Sequence, residues 1–486
     1  MPVSLSRRQV LLGGGSAVAV AGALGRGSRA APAQVAPFAV PRSTEVDLVD
    51  HVLARCAFGA SPGDRERVGG LGATTDAAVD RWIDQQLAPG EEEPDLRRSL
   101  ARLDSLGQPL GELYEWKPEV LLRELSSAAL LRAVASRWQL REVMVDFWSD
   151  HLNIDASKGE CAWLKAADDR EVVRHHALGR FRDLIAASAL SPAMLWYLDG
   201  RTNRRATASE RPNENYAREL LELHTLGADG GYTQTDVMEA ARCLTGWTVR
   251  DRHRFRKGRV ELDAALHDDG EKHVLGRRIP AGGGAQDLEA LLDLVTSHPA
   301  TARHVSTKLC RRFISDAPPA SAVEAVATAF RTSGGDVPTT LRALLRTEAF
   351  RAPETRRSKL KRPFQLVASA LRASGARTDA GSPLLDALRS MGQSSFQYPT
   401  PEGAPDVAPA WTGTLLWRWR LAMSLADGAI PGTWVDVPGL VSRAGGIDGL
   451  AAHLLGRAPD PVERAVLAAS PRPLAVLLAS PAFQRC

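Results

Sequence analysis

Residues 211–227 read RPNENYARELLELHTLG and place three glutamates, two asparagines and a histidine within 17 residues. A helix advances about 100° per residue. That step gathers Tyr216, Leu220 and Leu223 on one side, with Ala217, Leu221 and His224 adjoining. Asn215, Glu219 and Glu222 then fall on the opposite side, along with Arg218. Two carboxylates one turn apart can bind a divalent cation or divide acid and base work. A solvated face has the same pattern. Asn213 would then be a cap, and Glu214–Arg218 an i,i+4 pair worth about 0.2–0.5 kcal/mol. Spacing alone leaves both readings open. His224, at the margin of the apolar face, suits a hydrogen-bonded core position as well as a ligand.

Other imidazoles extend the candidate chemistry. On a helix over 140–153, Glu142, Asp146 and Asn153 form one polar stripe with Ser149 and Asp150 alongside. His151 falls on the other face with Met144, Phe147 and Trp148. Burying that ring unpaired costs about 1–3 kcal/mol, so it needs a hydrogen bond or a metal, and both use the neutral imidazole. Of His175 and His176, only one can point to a given face. His267–Asp268 lies in a loop-rich stretch, where such a pair suits a metal, a general base or an ordinary turn. Several established chemistries are set aside. The Glu-x-x-His pairs of di-iron bundles are replaced by Glu219-x-x-Glu222 and Glu222-x-His224. No HExxH, GxSxG, Walker A or GxGxxG motif stands in a fitting context.

These residues need helices to position them, and helical signals dominate. Periodicity predicts helices over 47–58, 75–87, 118–150, 168–190, 213–226 and 236–247, then 287–297, 300–315, 321–332, 337–347 and 361–374, with a helical tail through Leu478. Polar loops separate them at 199–213 and at the Pro/Gly-rich stretch 392–413. Residues near 250–285 alternate, carry paired glycines and predict a small β-hairpin excursion. The fold class is therefore mainly α: a large multi-helix body over 45–486, with a subdivision at the excursion as one option. Five scattered cysteines lack metal-ligand spacing and are odd in number, so buried free thiols are expected rather than a disulfide framework.

The first 33 residues differ from the rest. Arg7–Arg8, with Ser6 before and Leu11–Leu12 behind, introduces an apolar run from Val10 to Leu24. This looks like a twin-arginine export signal, cleaved after Ala33 or Ala30, with a plain secretory signal as the alternative. An extended leader over 34–44 follows. The run is short and glycine-rich, so no membrane span is expected after processing. The chain has 61 basic and 57 acidic residues; removing Arg7, Arg8, Arg26 and Arg29 leaves 57 of each, which argues against a nucleic-acid partner.

ENYARELLELHTLG followed by GGYTQTDVMEAARCLTGW resembles a bacterial family known as domain of unknown function 1800. FWSDHLNI, VVRHHALGRFRDLI, SPAMLWYLDG, HDDGEKHVLG, HPATARHVSTKL and MGQSSFQYPTPEG agree with it, from about Val46 to Phe483. The resemblance implies a mostly helical exported protein partnered with a sulfatase-like exported companion, and supplies no activity. It selects His176 over His175. Two places depart from the family pattern: Ser149–Asp150, where a more aromatic, amide-rich segment is usual, and Gly403–Ala404, where a Gly-Trp step is usual. The resulting expectation is a metal-assisted hydrolase acting on an envelope or extracellular substrate. Glu219, Glu222 and Glu214 are its catalytic candidates, and His151, His176 and Glu219 its ligands to a divalent metal. Asn215, His267 and Asp268 support them. The alternative is a non-enzymatic exported scaffold that binds a partner protein or an envelope polymer.

Overall fold

Apolar residues at three- and four-residue spacing recur from Leu48 to Leu478, and helices form wherever they do. The computed structural model describes residues 36–207, 209–251 and 256–486. The export-signal reading of 1–33 lies outside the described residues. Pro37–Cys486 is one compact unit, filled by an apolar cluster that runs from Leu48 to Phe483. The architecture is mainly α, as expected. All five cysteines are buried and free.

The excursion near 250–285 consists of two antiparallel hairpins. Trp247–Val249 pairs with Val260–Leu262, and Lys272–Val274 with Arg277–Ile279. A third ribbon joins Arg377–Thr378 to Thr433–Trp434, a pairing between segments too distant in sequence for any local pattern to reveal.

Three predicted helices are broken, each for a local reason. The run over 118–150 divides into Pro118–Ala135 and Gln139–His151. Gln139 Nε2 donates to the carbonyls of Ala133 and Ser136, at 3.1 and 2.8 Å, and so satisfies terminal groups of the first helix from inside the second. The run over 168–190 stops near Gly179, where Phe181 N–H turns to the Gly335 carbonyl at 2.8 Å. It also contains a π-helical turn at Asp169–Val173. The 213–226 run is α-helical only at Asn215–Glu219, and Leu220–Thr225 is a π-helix. Asn213 still acts at its start, its Oδ1 accepting the Asn215 N–H at 3.0 Å, but Glu214 occupies the cap position. Thr225 Oγ1 donates to the Leu220 carbonyl five residues back, at 2.6 Å. A widened turn of this kind is frequent at functional sites, and it invalidates the 100° projection beyond Leu220.

Candidate functional site

Helix Gln139–His151, the end of the 215–225 helix, helix Pro299–Phe313 and the loop 398–406 enclose one cavity of about 380 Å³. Pro299 opens its helix at the first position, and His298 Nδ1 accepts the Ala300 N–H at 3.2 Å. That helix buries Ala302, Val305, Leu309 and Phe313 in the core. The opposite spacing, at i, i+4 and i+7, carries His304, Lys308 and Arg311 into the cavity wall.

The imidazoles are held by the end of the neighbouring helix. His151 Nε2 donates to the His224 carbonyl at 3.0 Å, and His304 Nε2 donates to the Leu223 carbonyl at 3.1 Å. These are terminal carbonyls with no partner inside their own helix, so two histidines cap one C-terminus. A carbonyl only accepts, so each Nε2 carries a proton and a neutral ring keeps its lone pair at Nδ1. His151 Nδ1 and His224 Nε2 are buried without a hydrogen-bond partner among the described residues. Burial, then the nearby Lys308 cation, pushes His304 down to about 4 and His224 down to about 3. His151 is held well below its ordinary value by burial, Lys308 and the other two rings. The close approach of His304 requires Gly227: its φ is +87°, and a Cβ there would lie 2.7 Å from His304 Nδ1.

Two of the four cations in the cavity lining are paired. Arg362 holds both Asp146 and Asp150, and Arg312 also meets Asp146 at 3.3 Å. Lys359 bridges Asp316 at 2.6 Å and Asp406 at 3.4 Å. Burial would raise Asp406, but Lys359, Arg312 and Arg362 outweigh it and hold the carboxyl low. Burial and the Asp146 charge raise Asp150 despite Arg362. Lys308 and Arg311 differ. Among the described residues the Lys308 amine makes no hydrogen bond or ion pair, and Arg311 makes only an Nε–H contact to the Asp316 carbonyl at 3.3 Å. Burial drives the Lys308 pKa down to about 8, against the pull of Asp150 and with the help of Arg311.

The loop is fixed from below. Asn153 Nδ2 donates to the carbonyls of Tyr398 and Thr400, at 2.9 and 2.7 Å, and Tyr197 Oη donates to that of Pro399 at 3.1 Å. Gly403, at φ +76°, passes so close to helix Gln139–His151 that a Cβ would overlap the Asp150 carbonyl oxygen. Ala404 N–H then reaches Asp150 Oδ1 at 3.4 Å. Ser149–Asp150 and Gly403–Ala404, far apart in sequence, therefore touch each other. Behind Asp150 a smaller cavity of about 60 Å³ is lined by the whole polar stripe Glu142, Asp146, Ser149, Asp150 and Asn153. Glu142 closes it by gripping Arg174 through two bonds of 3.0 and 2.8 Å.

The sequence-derived candidates separate in space. His151 lines the larger cavity, and Leu223 brings the 215–225 helix to its edge. Burial raises Glu219, and the charges of Glu222 and the cavity residue Glu402 add to the effect against that of Arg218; neither Glu219 nor Glu222 lines the cavity. Tyr232 Oη donates to Glu222 at 3.3 Å. Glu214 is occupied by Arg218 at 2.8 Å and Gln234 at 2.6 Å. Asn215 Nδ2 donates to the Leu198 carbonyl at 3.0 Å, which ties the helix to the preceding loop. His176 is half-buried, packs edge-on against His175 with ring centroids 4.7 Å apart, and does not line the cavity. His267 and Asp268 are buried elsewhere. His267 bonds the Thr245 carbonyl at 2.9 Å and Asp287 at 3.1 Å, while Asp268 binds Arg242 and Arg205. Among the described residues, no group of three or more His, Cys, Asp or Glu side chains is placed to hold a metal ion.

His304, Lys308, Arg311, Arg362, Glu402 and Asp406 were not singled out by sequence reasoning. A signal existed for the first three, whose i, i+4, i+7 spacing in HPATARHVSTKLCRR mirrors that of Asn215, Glu219 and Glu222. Arg362 belongs to KLKRP, a cationic cluster just before a helix-opening proline.

A mainly helical chain with a cation-lined cavity at its helix ends is the class of protein these observations define. The chain belongs to the family described as protein of unknown function, DUF1800, whose model matches residues 51–485. No curated protein and no solved structure matches it.

Proposed function

We propose that this chain is an exported hydrolytic enzyme that acts on a substrate bearing an oxyanion, a carboxylate, phosphate or sulfate group. One observation carries the reading: Lys308 and Arg311, neither with a carboxylate partner among the described residues, share one face of one helix and line one cavity. Arg311, always charged, clamps the anion. Lys308, with a pKa of about 8, is part amine near neutrality and takes a proton from the attacking water. The neutral His151 and His304 rings fix the wall beside it, and Glu402 in the lining repels anions that approach off-axis. The twin-arginine-like leader supports export, and with it a substrate in the envelope or outside the cell.

The metal-assisted route expected from the sequence is less well supported by the donor set. Lys308, Arg311, Arg312 and Arg362 oppose Asp150, Glu402 and Asp406 in the lining, a balance that suits an anion better than a divalent cation. Titration calorimetry with inorganic phosphate and sulfate tests the binding step. The wild type is expected to bind at least one of them, and Arg311→Met is expected to weaken that binding about tenfold or more. Absence of binding to the wild type, or unchanged binding in Arg311→Met, contradicts the proposal.

A further inference from the structure

Helix Leu415–Ala426, LLWRWRLAMSLA, is inverted in character. Its inward side carries Arg418, Leu421, Ala422 and Leu425. Its outward side leaves Leu415 50%, Leu416 57%, Trp417 39%, Trp419 52% and Met423 47% exposed. The buried arginine makes this orientation rigid: Arg418 bonds Thr414 Oγ1 at 2.8 Å, Gln484 Oε1 at 2.9 Å and the Lys361 carbonyl at 2.9 Å. The apolar side is thus displayed by design of the inner contacts rather than by loose packing.

We propose that this face docks the protein onto a lipid surface bearing anionic headgroups. Three observations favour that occupant. First, the exposed side chains amount to about 500 Å² if a large side chain is taken as roughly 200 Å², which is the size of a functional patch but short of the ~800 Å² per partner that a stable dimer needs. Second, the charge is complementary. The helix holds no carboxylate, its exposed charge is Arg420, and the next acid, Asp427, is already paired with Arg472 at 3.3 Å. Third, the Arg420 guanidinium lies 4.6 Å from the Trp417 ring centroid. Indoles beside a guanidinium belong at the headgroup level, where the ring enters the acyl boundary and the cation meets lipid phosphate. Trp434 and Arg377, 5.6 Å apart, repeat the pairing on the ribbon that follows. The mode is peripheral, since no helix among the described residues is long and apolar enough to cross a membrane. The cavity loop ends at Asp406 and this helix begins at Leu415, so docking would present the site to substrates at the surface.

The test is sedimentation with vesicles of equal parts phosphatidylcholine and phosphatidylglycerol, or of phosphatidylcholine alone. The full-length chain is compared with its Trp417→Ala/Trp419→Ala variant, so that residues 1–33 contribute equally to both. The wild type is expected to bind the anionic vesicles, with partition falling about tenfold or more in the variant and on neutral vesicles. In the wild type, brominated acyl chains should quench indole fluorescence, a readout independent of how the variant folds. Equal binding by wild type and variant, binding indifferent to lipid charge, or absence of quenching overturns the proposal. So does a dimer of the wild type that the variant dissociates, which would assign the face to a second copy.

Discussion

Helix Pro299–Phe313 and the 215–225 helix pack together and carry polar side chains at the same three- and four-residue spacing. On the 215–225 helix those side chains are largely satisfied close by: Glu214 by Arg218 and Gln234, Asn215 by Leu198, and Glu222 by Tyr232. On the other helix, Lys308 and Arg311 have no carboxylate partner among the described residues and face a cavity. Placing polar groups on one face is cheap. Leaving the Lys308 amine half-buried without a counter-ion is costly and lowers its pKa, so that is where function is expected. The histidines join the two helices, since His304 and His151 from the cavity side satisfy the carbonyls that end the 215–225 helix.

The contrast can be broken at several points. The largest effect belongs to Lys308→Met. Turnover of any oxyanion ester that the wild type hydrolyses should fall by about 10²–10⁴-fold, while thermal stability holds or rises because a half-buried amine without a counter-ion has gone. A stability loss with full activity would make Lys308 structural. Next is Arg362→Ala, which leaves the half-buried Asp150 without its ion-pair partner and Asp146 with Arg312 alone, and should cost about 1–3 kcal/mol in denaturant unfolding. An intermediate effect concerns pH. His304 has its folded pKa depressed, so its share of stability is present above about 6.5 and is lost as pH falls toward about 4. Melting temperature followed across that window should fall less steeply in His304→Gln than in the wild type. Parallel curves would show that the buried ring does not carry the acid sensitivity. The smallest effect is at Glu214→Ala, where loss of a pair 36% exposed on both sides should change stability by about 0.2–0.5 kcal/mol and leave turnover unchanged.

The helical class, the hairpin region and the polar stripe of helix Gln139–His151 were legible because each depends on local periodicity. The break between Ala135 and Gln139 was not, because it depends on a side chain reaching back across the junction. The π-turn at Leu220–Thr225 was hidden for a related reason. It rotates the residues after Leu220 away from an ideal helix, and it is stabilised by what lies against it. Of the candidate site, His151 was legible as an imidazole on an apolar face that needed a partner. His176 was not separable from its neighbour by spacing. Lys308 and Arg311 had the same spacing as the glutamates, but only the three-dimensional arrangement distinguishes a cation with a carboxylate beside it from one without. The contact between Ala404 and Asp150 joins positions far apart in sequence, so it needed the fold to be seen.

On this account Lys308, half-buried and without an ion-pair partner among the described residues, is partly deprotonated near neutrality. Reductive methylation with isotope-labelled formaldehyde places an NMR reporter on each lysine amine, and Lys308→Met assigns the Lys308 signal. A midpoint near 8, well below the ordinary lysine value of 10.5, is the predicted result. A midpoint at the ordinary value would mean that the amine is solvated or paired, and would contradict the account.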